Sequence, residues 1–134
     1  MTYQYSVTVR NAKLDAVETA IGTAAVLKIF SGAEPANCAA ADPSGTLISI
    51  SLPSDWLANA SSGSKALAGT WSGTASGSGT AASFRIYDSG VTACHIQGSV
   101  TATGGGGDLT LDNASISNGQ TVTVTTFTIT AGNA

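Results

Sequence analysis

The final β-branched stretch of the chain alternates threonine with apolar residues in the order QTVTVTTFTIT, residues 120–130. A period of two predicts a β-strand with one apolar face and one face of hydroxyl groups. The two valines have one parity, whereas Phe127 and Ile129 have the other. The pair Thr125 and Thr126 must therefore absorb a one-residue slip, and we expect a β-bulge there or a strand that bends from one sheet into a second.

The chain beyond residue 22 consists of short β-branched runs separated by turn-forming residues, without alternating helices. This pattern predicts a mainly β protein, an antiparallel β-sandwich or jelly roll with one N-terminal amphipathic helix, in a single domain of residues 1–134. Besides the final strand, we predict strands over residues 24–30, 46–52, 65–71, 83–87, 91–100 and 108–111. The predicted connections are a helical turn at 54–60, a flexible stretch at 72–79, and hairpin turns at 88–90 and 117–120.

The first 22 residues carry the spacing of a helix. Side chains recur every three or four positions at Val7, Arg10, Leu14, Val17 and Ile21. With Gly22 as a terminator, they predict a helix over about residues 6–21. An alternative is a strand over residues 3–9, followed by a shorter helix capped by Asn11. In either case the segment is amphipathic, and we expect it to serve as an N-terminal docking element beside a sandwich of about residues 23–134.

The charge content is unusually low. Five basic and eight acidic residues give 10% charged residues and a net charge of −3, whereas about a quarter of the residues are charged in a typical globular protein. Ser, Thr, Gly and Ala take the place of the missing charges, which predicts a neutral, hydroxyl-covered surface. The scattered basic residues argue against direct nucleic-acid binding. No membrane span or secretory signal is recognisable, so we expect synthesis in a cytoplasm without export by the general route.

The residues that carry enzyme chemistry are few. His95 is the single histidine and follows Cys94, but strand neighbours point to opposite faces, so the two cannot form a nucleophile–base pair. Cys94 is expected to share a face with Ile96, and His95 with Gln97. The glycines 104–107 lack the features of a phosphate loop or a dense calcium loop and are interpreted as a turn. We therefore predict no catalytic, cofactor-binding or metal-binding residues.

Two further groups of residues have a functional and a structural interpretation. Asp15 and Glu18 lie one helical turn apart and could act as a carboxylate pair, but a solvated helix face is the simpler reading. Four aromatic residues could form a sugar-stacking platform, although core packing is the default. They are Trp56, Trp71, Phe84 and Tyr87.

The two cysteines, Cys38 and Cys94, are too far apart in sequence for a CxxC site. Two separate buried thiols are the preferred interpretation for a protein folded in a reducing cytosol. A disulfide between them remains open, because their pairing is a question of geometry.

Several segments resemble a family of small proteins encoded among the virion genes of tailed bacteriophages and prophages. The resemblance spans essentially the whole chain and is carried by VRNAKLDAVE at 9–18, VLKIFSG at 26–32 with Pro35–Ala36, GTAASFRIYD at 79–88, GDLTLDN at 107–113 and FTITAG at 127–132. These motifs are structural, so the resemblance implies association with the virion and transfers no catalytic residue.

Composition and resemblance together predict a non-enzymatic bacteriophage virion structural protein. A capsid decoration or cement subunit is the first expectation. A tail or other host-attachment component, such as a carbohydrate-binding module, is the alternative. The expected partners are other virion proteins, either the major capsid protein or a tail protein, together with further copies of the chain in a homo-oligomer. The expected location is the virion, assembled in the host bacterial cytoplasm.

Overall fold

The computed structural model describes residues 3–134, and this part of the chain folds as one helix followed by ten strands. The helix α1 covers Val7–Ile21. The strands are β1 Val26–Phe30, β2 Thr46–Ser51, β3 Ser64–Ala66, β4 Ser72–Thr74, β5 Gly79–Thr80, β6 Ser83–Tyr87, β7 Cys94–Ala102, β8 Leu109–Leu111, β9 Ser115–Ile116 and β10 Thr121–Thr130. With 39% of residues in strands and 11% in the helix, the predicted mainly β class with one N-terminal helix is confirmed.

Eight strands form one sheet in the order β2-β1-β6-β7-β8-β10-β3, with β4 also paired to β10, and β5 and β9 form a separate ribbon. All pairings are antiparallel except that of β7 with β8, which run parallel with Val100 opposite Leu109. This pair is the exception to the predicted antiparallel arrangement. The glycine-rich residues 103–108 form a loop that carries the chain back along β7, so that β8 begins opposite Val100 and runs in the same direction. In this loop the Gly107 amide donates to Thr101 Oγ1 at 3.0 Å.

The sheet curls until its two ends meet, which makes the fold sandwich-like. The amides of Ser76 and Gly77 donate to the carbonyl of Leu47 in β2 at 2.9 and 3.1 Å. Gly73 in β4 permits the close approach, because a Cβ there would lie 3.1 Å from Cγ1 of Ile50. The prediction of a flexible connection at 72–79 is therefore wrong, since these residues form β4 and close the curl.

The core between the curled halves is built around four aromatic rings. Trp56, Trp71, Phe84 and Phe127 are at most 3% exposed, and neighbouring rings have centroids 5.4–5.9 Å apart. Each buried indole N–H has a hydrogen-bond acceptor. Trp56 Nε1 donates to the Gly22 carbonyl at 2.9 Å, and Trp71 Nε1 donates to the Ala68 carbonyl at 3.1 Å. The rings considered for a sugar platform, Tyr87 included, are thus buried.

The predicted bulge in β10 is confirmed. Val124 pairs with Leu111 and Thr126 with Thr110, so Thr125 is the additional residue on the β10 side. On the two sides of the bulge, β10 pairs first with β4 and then with β3. The bulge lets both apolar sets of the strand, Val122 with Val124 and then Phe127, enter the core.

Helix α1 begins and ends where the sequence predicts. Ser6 Oγ caps it by accepting from the Val9 amide at 3.3 Å, and Gly22, with φ of 93°, ends it by donating to the Glu18 carbonyl at 2.8 Å. The alternative with Asn11 as a cap is wrong. The apolar stripe is partial, since Leu14 and Ile21 are buried but Val7 is 49% exposed. Within residues 3–134, no helix combines the length and the apolar character needed to span a membrane.

Two local predictions around the tryptophans are wrong. Residues 54–60 form no helical turn but an extended segment in which Leu57 bridges to Leu67. The strand predicted over 65–71 shortens to Ser64–Ala66. Trp56 and Leu57 nevertheless fold back on the core, as expected, because their burial does not require helical backbone.

Candidate functional site

Two surface clefts contain most of the ion pairs of the described chain. We call the first the arginine cleft; its volume is about 680 Å³ and its lining includes Lys28, Asp42, Arg85, Tyr87 and both cysteines. The second, the helix-seat cleft, has a volume of about 370 Å³ and lies between α1 and β3, with Asp15, Glu18 and Lys65 in its lining.

The arginine cleft forms on the outer face of β1 and β6. The inner face of β6 carries Phe84 and Ile86, which point into the core as predicted. The outer face carries Ser83, Arg85 and Tyr87, and these residues are also buried. Their burial arises because the long β1–β2 connection, residues 31–45, folds back over this face; we call it the cover segment.

Arg85 fastens the cover segment to the sheet. Its side chain is 2% exposed, and Nη2 and Nη1 donate to the carbonyls of Asn37 and Ala40, each at 2.9 Å. Nη1 also donates to Asp42 Oδ1 at 3.0 Å, and Nε and Nη2 both donate to Gln97 Oε1, at 3.2 and 3.0 Å. The planar guanidinium suits this task because its donors point in fixed, divergent directions. The guanidinium is fully occupied by groups of its own chain.

Asp42 is the anionic centre of the cleft. It accepts hydrogen bonds from Tyr87 Oη and Arg85, and Lys28 Nζ lies 4.0 Å from Oδ2. Partial burial alone would raise the pKa of Asp42, but the hydrogen bonds from Tyr87 and Arg85 and the charge of Lys28 hold it below its usual value. Burial and the Asp42 bond raise the pKa of the Tyr87 phenol. At neutral pH the carboxylate is therefore ionised and the phenol keeps its proton.

The lowered pKa of Asp42 predicts that the free energy of unfolding decreases at low pH. A carboxylate whose folded pKa is depressed contributes stability above its unfolded pKa of 3.8, and this contribution is lost as the pH falls through the folded pKa. We expect the urea concentration at the denaturation midpoint to fall as the pH drops below about 4. In Asp42→Asn the urea midpoint should be lower than that of the wild type at pH 7 and should fall less steeply as the pH decreases. Urea titrations at several pH values measure both slopes, and parallel slopes would contradict this role of Asp42.

A register shift between β6 and β7 places Cys94 in the arginine cleft. Ile86 pairs with Ile96, whereas Tyr87 pairs with Cys94, so His95 is an additional residue on β7. The prediction that Cys94 shares a face with Ile96 is therefore wrong, because the bulge turns Cys94 to the face of Tyr87. His95 lies instead beside the hairpin turn, with Nε2 3.7 Å from Asp88 Oδ2.

The helix-seat cleft is organised by a buried lysine. The Lys65 side chain is 2% exposed, and its Nζ lies 2.8 Å from Asp15 Oδ1 and 2.9 Å from Glu18 Oε2. Burial by itself would lower the pKa of Lys65, but the bonds from the two carboxylates raise it, so the amine stays charged. Asp15 and Glu18, whose side chains are 54 and 23% exposed, thus keep the contact with solvent predicted from the sequence and in addition anchor α1 to β3.

Additional polar side chains of α1 bind the loop before β3. Asn11 Oδ1 accepts from the Gly63 amide at 2.9 Å, Asp15 Oδ1 from the Ala60 amide at 3.3 Å, and Arg10 Nη2 donates to the Ser62 carbonyl at 3.3 Å. The helix is therefore an integral part of the domain, held by polar contacts as well as by Leu14 and Ile21.

Replacing Lys65 by methionine is expected to loosen α1. The change keeps an unbranched side chain, shorter by one heavy atom, but leaves Asp15 and Glu18 without their cation. Because both carboxylates retain some solvent, we expect a loss of about 1–2 kcal/mol, less than for a fully buried pair. Urea denaturation measures the loss, and amide exchange should accelerate first in residues 7–21. Lys13→Met on the same helix is the control and should change neither quantity; equal effects of the two variants would contradict the anchor.

The acidic residues near the glycine turn bind protein donors rather than facing a common space. Asp108 Oδ2 accepts from the Ser99 amide at 2.9 Å and from its hydroxyl at 3.0 Å. Asp112 Oδ1 accepts from the amides of Asn113 and Thr123 at 3.0 and 3.2 Å. Among the described residues, no three His, Cys, Asp or Glu side chains converge as metal ligands would.

Sequence reasoning missed the importance of Arg85 and Lys65. Each is a cation inside a run that otherwise reads as strand, SFRIY for Arg85 and SKA for Lys65. A charge at the centre of an apolar strand is the signal that was available, since such a residue is rarely buried unless it is paired. The carboxylate partners lie 43 to 50 residues away in sequence, so the ion pairs had no local signature.

Comparisons of the chain with models of protein families, with curated protein sequences and with solved structures yield no match. The resemblance to virion proteins is therefore still a prediction.

Proposed function

We propose that the protein is a non-enzymatic structural protein of a tailed bacteriophage virion, and foremost a capsid decoration or cement subunit. The observation that supports this most is the internal use of its cations. Lys28, Lys65 and Arg85 lie in ion pairs with carboxylates of the same chain. Arg10 binds the Ser62 carbonyl, and Lys13 Nζ lies 4.4 Å from the centre of the Tyr5 ring.

The outward face that remains is rich in hydroxyl groups. In β10, the residues Thr121, Thr125, Thr126, Thr128 and Thr130 are exposed, whereas the apolar residues between them turn inward. Soluble monomers usually rely on many surface charges of both signs to stay apart. A face of threonines tolerates both water and a flat protein neighbour, which suits a subunit that spends its working life in contact with other subunits.

The arginine cleft supports a structural role as well. Its arginine is fully engaged, its tyrosine keeps its proton, and its carboxylate is bound by both. General acid–base catalysis needs a group with a pKa near the working pH, and nucleophilic catalysis needs an activated nucleophile. These residues fix the cover segment in place.

The contact to the virion is proposed to lie at the start of α1. Tyr3, Val7 and Val9 are 66, 49 and 42% exposed, and together with Val91 they are the large apolar residues that the described chain exposes most. The helix itself is fixed on the domain, so we propose that it presents these side chains to the major capsid protein. A tail protein is the alternative partner, and homo-oligomers at symmetry axes would complete the arrangement.

Quantitative mass spectrometry of purified particles tests the proposal. Particles of the encoding phage should contain the protein at a high, fixed ratio to the major capsid protein, and particles from a gene deletion should recover that ratio when recombinant protein is added. Recombinant Val7→Asp/Val9→Asp should fold, because both side chains are exposed, but should not bind, because it carries charge at the proposed contact. A ratio of a few copies per particle would place the protein in the tail, and its absence from particles would refute the proposal.

A further inference from the structure

The only two cysteines of the sequence meet in the arginine cleft. Cys38 lies in the cover segment and Cys94 begins β7, and both line the cleft. Each thiol is partly buried, and the Cys38 side chain lies close enough to Cys94 to raise the pKa of its thiol. Two residues 56 positions apart in the chain thus lie near each other in one cleft.

Hydrogen bonds on both sides of Cys38 fix this contact. Gln97 Nε2 donates to the Pro35 carbonyl at 2.7 Å, and the Arg85 guanidinium donates to the carbonyls of Asn37 and Ala40. Gln97 lies on the same strand as Cys94, and Arg85 lies on the strand beside it. The backbone that carries Cys38 is therefore held against the strand that carries Cys94.

We propose that Cys38 and Cys94 form an intramolecular disulfide when the folded protein meets a disulfide oxidant such as glutathione disulfide. The bond would fasten the cover segment to β7 covalently, at the place where Arg85 fastens it by hydrogen bonds.

The reaction is a thiol–disulfide exchange in two steps. The Cys38 thiolate attacks one sulfur of glutathione disulfide, which forms a mixed disulfide and releases the first glutathione thiolate. The Cys94 thiol then loses its proton and its sulfur attacks Cys38 Sγ, which releases the second glutathione thiolate. The two protein thiols lose two electrons, the oxidant gains them, and the two protons end on the two glutathione molecules.

The second step is expected to be slow at neutral pH. Burial raises the pKa of the Cys94 thiol, and the neighbouring Cys38 side chain raises it further. Little Cys94 thiolate is therefore present, and ring closure should accelerate about tenfold for each unit by which the pH rises, as long as the pH stays below that pKa.

Intact-mass spectrometry of recombinant protein tests the proposal. The reduced protein is incubated with glutathione disulfide, denatured in acid, and alkylated with iodoacetamide after neutralisation in urea. We expect a monomer about 2 Da lighter than the reduced protein that takes up no alkyl group. Its melting temperature should exceed that of the reduced protein by on the order of 10 °C, because a long loop is closed.

A single and a double variant separate the two steps of the exchange. Cys94→Ser should stop at the glutathione adduct of Cys38, and the double variant Cys38→Ser/Cys94→Ser should show neither the adduct nor the rise in melting temperature. Wild-type protein that ends with two alkylated thiols, with a stable glutathione adduct at either cysteine, or as a disulfide-linked dimer on a non-reducing gel would overturn the proposal.

Discussion

Arg85→Ala is expected to lower the free energy of unfolding by about 3–5 kcal/mol. The guanidinium is 2% exposed and donates to Gln97, Asp42 and two carbonyls of the cover segment. Without it these acceptors lose their donor, and a cavity replaces a side chain that is almost fully buried. Because the same donors hold residues 37–42 in place, we also expect the cover segment to become sensitive to protease in the folded state.

Urea denaturation followed by tryptophan fluorescence measures the first effect, since both tryptophans are fully buried in the core. Arg85→Lys should recover only a small part of the loss, because a single ammonium cannot reach four divergent acceptors. Lys13→Ala removes an exposed cation that lies over the Tyr5 ring, and should cost less than about 1 kcal/mol. A stability of Arg85→Ala within that same margin of wild type would mean that the cover segment does not depend on the arginine.

Deleting Thr125 is expected to remove the bulge and to leave β10 paired with β8 in the same register. Thr125 is the additional residue opposite Thr110, so its loss keeps the pairs Val124–Leu111 and Phe127–Leu109. The apolar residues of β10 then alternate with threonine along the whole strand and stay on the inner face. We expect cooperative folding with a loss of about 1–3 kcal/mol, because the hydrogen bonds of the Thr125 hydroxyl and the local twist of the bulge are lost.

Thr125→Val is the matched control, because it keeps the length of the strand and replaces only the hydroxyl by a methyl group. That hydroxyl lies 2.8 Å from Thr103 Oγ1 and 2.6 Å from Thr110 Oγ1, so the control should cost about 1 kcal/mol. Calorimetry should show a single heat-absorption peak for both variants. A deletion variant without such a peak would show that the fold depends on the additional residue itself and not on the pairs that flank it.

The parts of the fold that depend on local pattern were predictable from the sequence. The bulge at Thr125 follows from parity alone, because apolar side chains on the two sides of it cannot otherwise share a face. The helix bounds follow from Ser6 and Gly22, whose capping roles depend only on nearby residues. The hairpin of β6 and β7 follows from two β-branched runs separated by a turn.

The parts that depend on distant contacts were not predictable. A second bulge at His95 moves Cys94 to the other face, and no parity conflict in the sequence signals it. The cover segment has the composition of an ordinary loop, and its return over β6 depends on Arg85 finding acceptors about 45 residues away. Likewise, residues 72–79 have the composition of a flexible linker, but residues 72–74 pair with β10, because that edge of the sheet was open.

The candidate sites show the same division. That Asp15 and Glu18 lie on one face of α1 could be deduced from their spacing, yet their partner Lys65 belongs to a strand 50 residues from Asp15. The sequence shows that there are two cysteines, but that they line the same cleft follows only from the position of the cover segment. The role of each of these side chains therefore depends on contacts between distant segments, which the curl of the sheet brings together and which no short stretch of the sequence predicts.

We propose that this polypeptide is a hydroxyl-faced β scaffold built for contact with other virion subunits. A cryo-electron microscopy reconstruction of the encoding phage particle tests it most directly. We expect the curled sheet and its helix to fit density repeated at symmetry-related positions on the outside of the capsid, with the start of α1 against the major capsid protein. The proposal would be contradicted if other proteins fully accounted for the density of the particle and if the isolated protein were a monomer with a ligand bound beside His95.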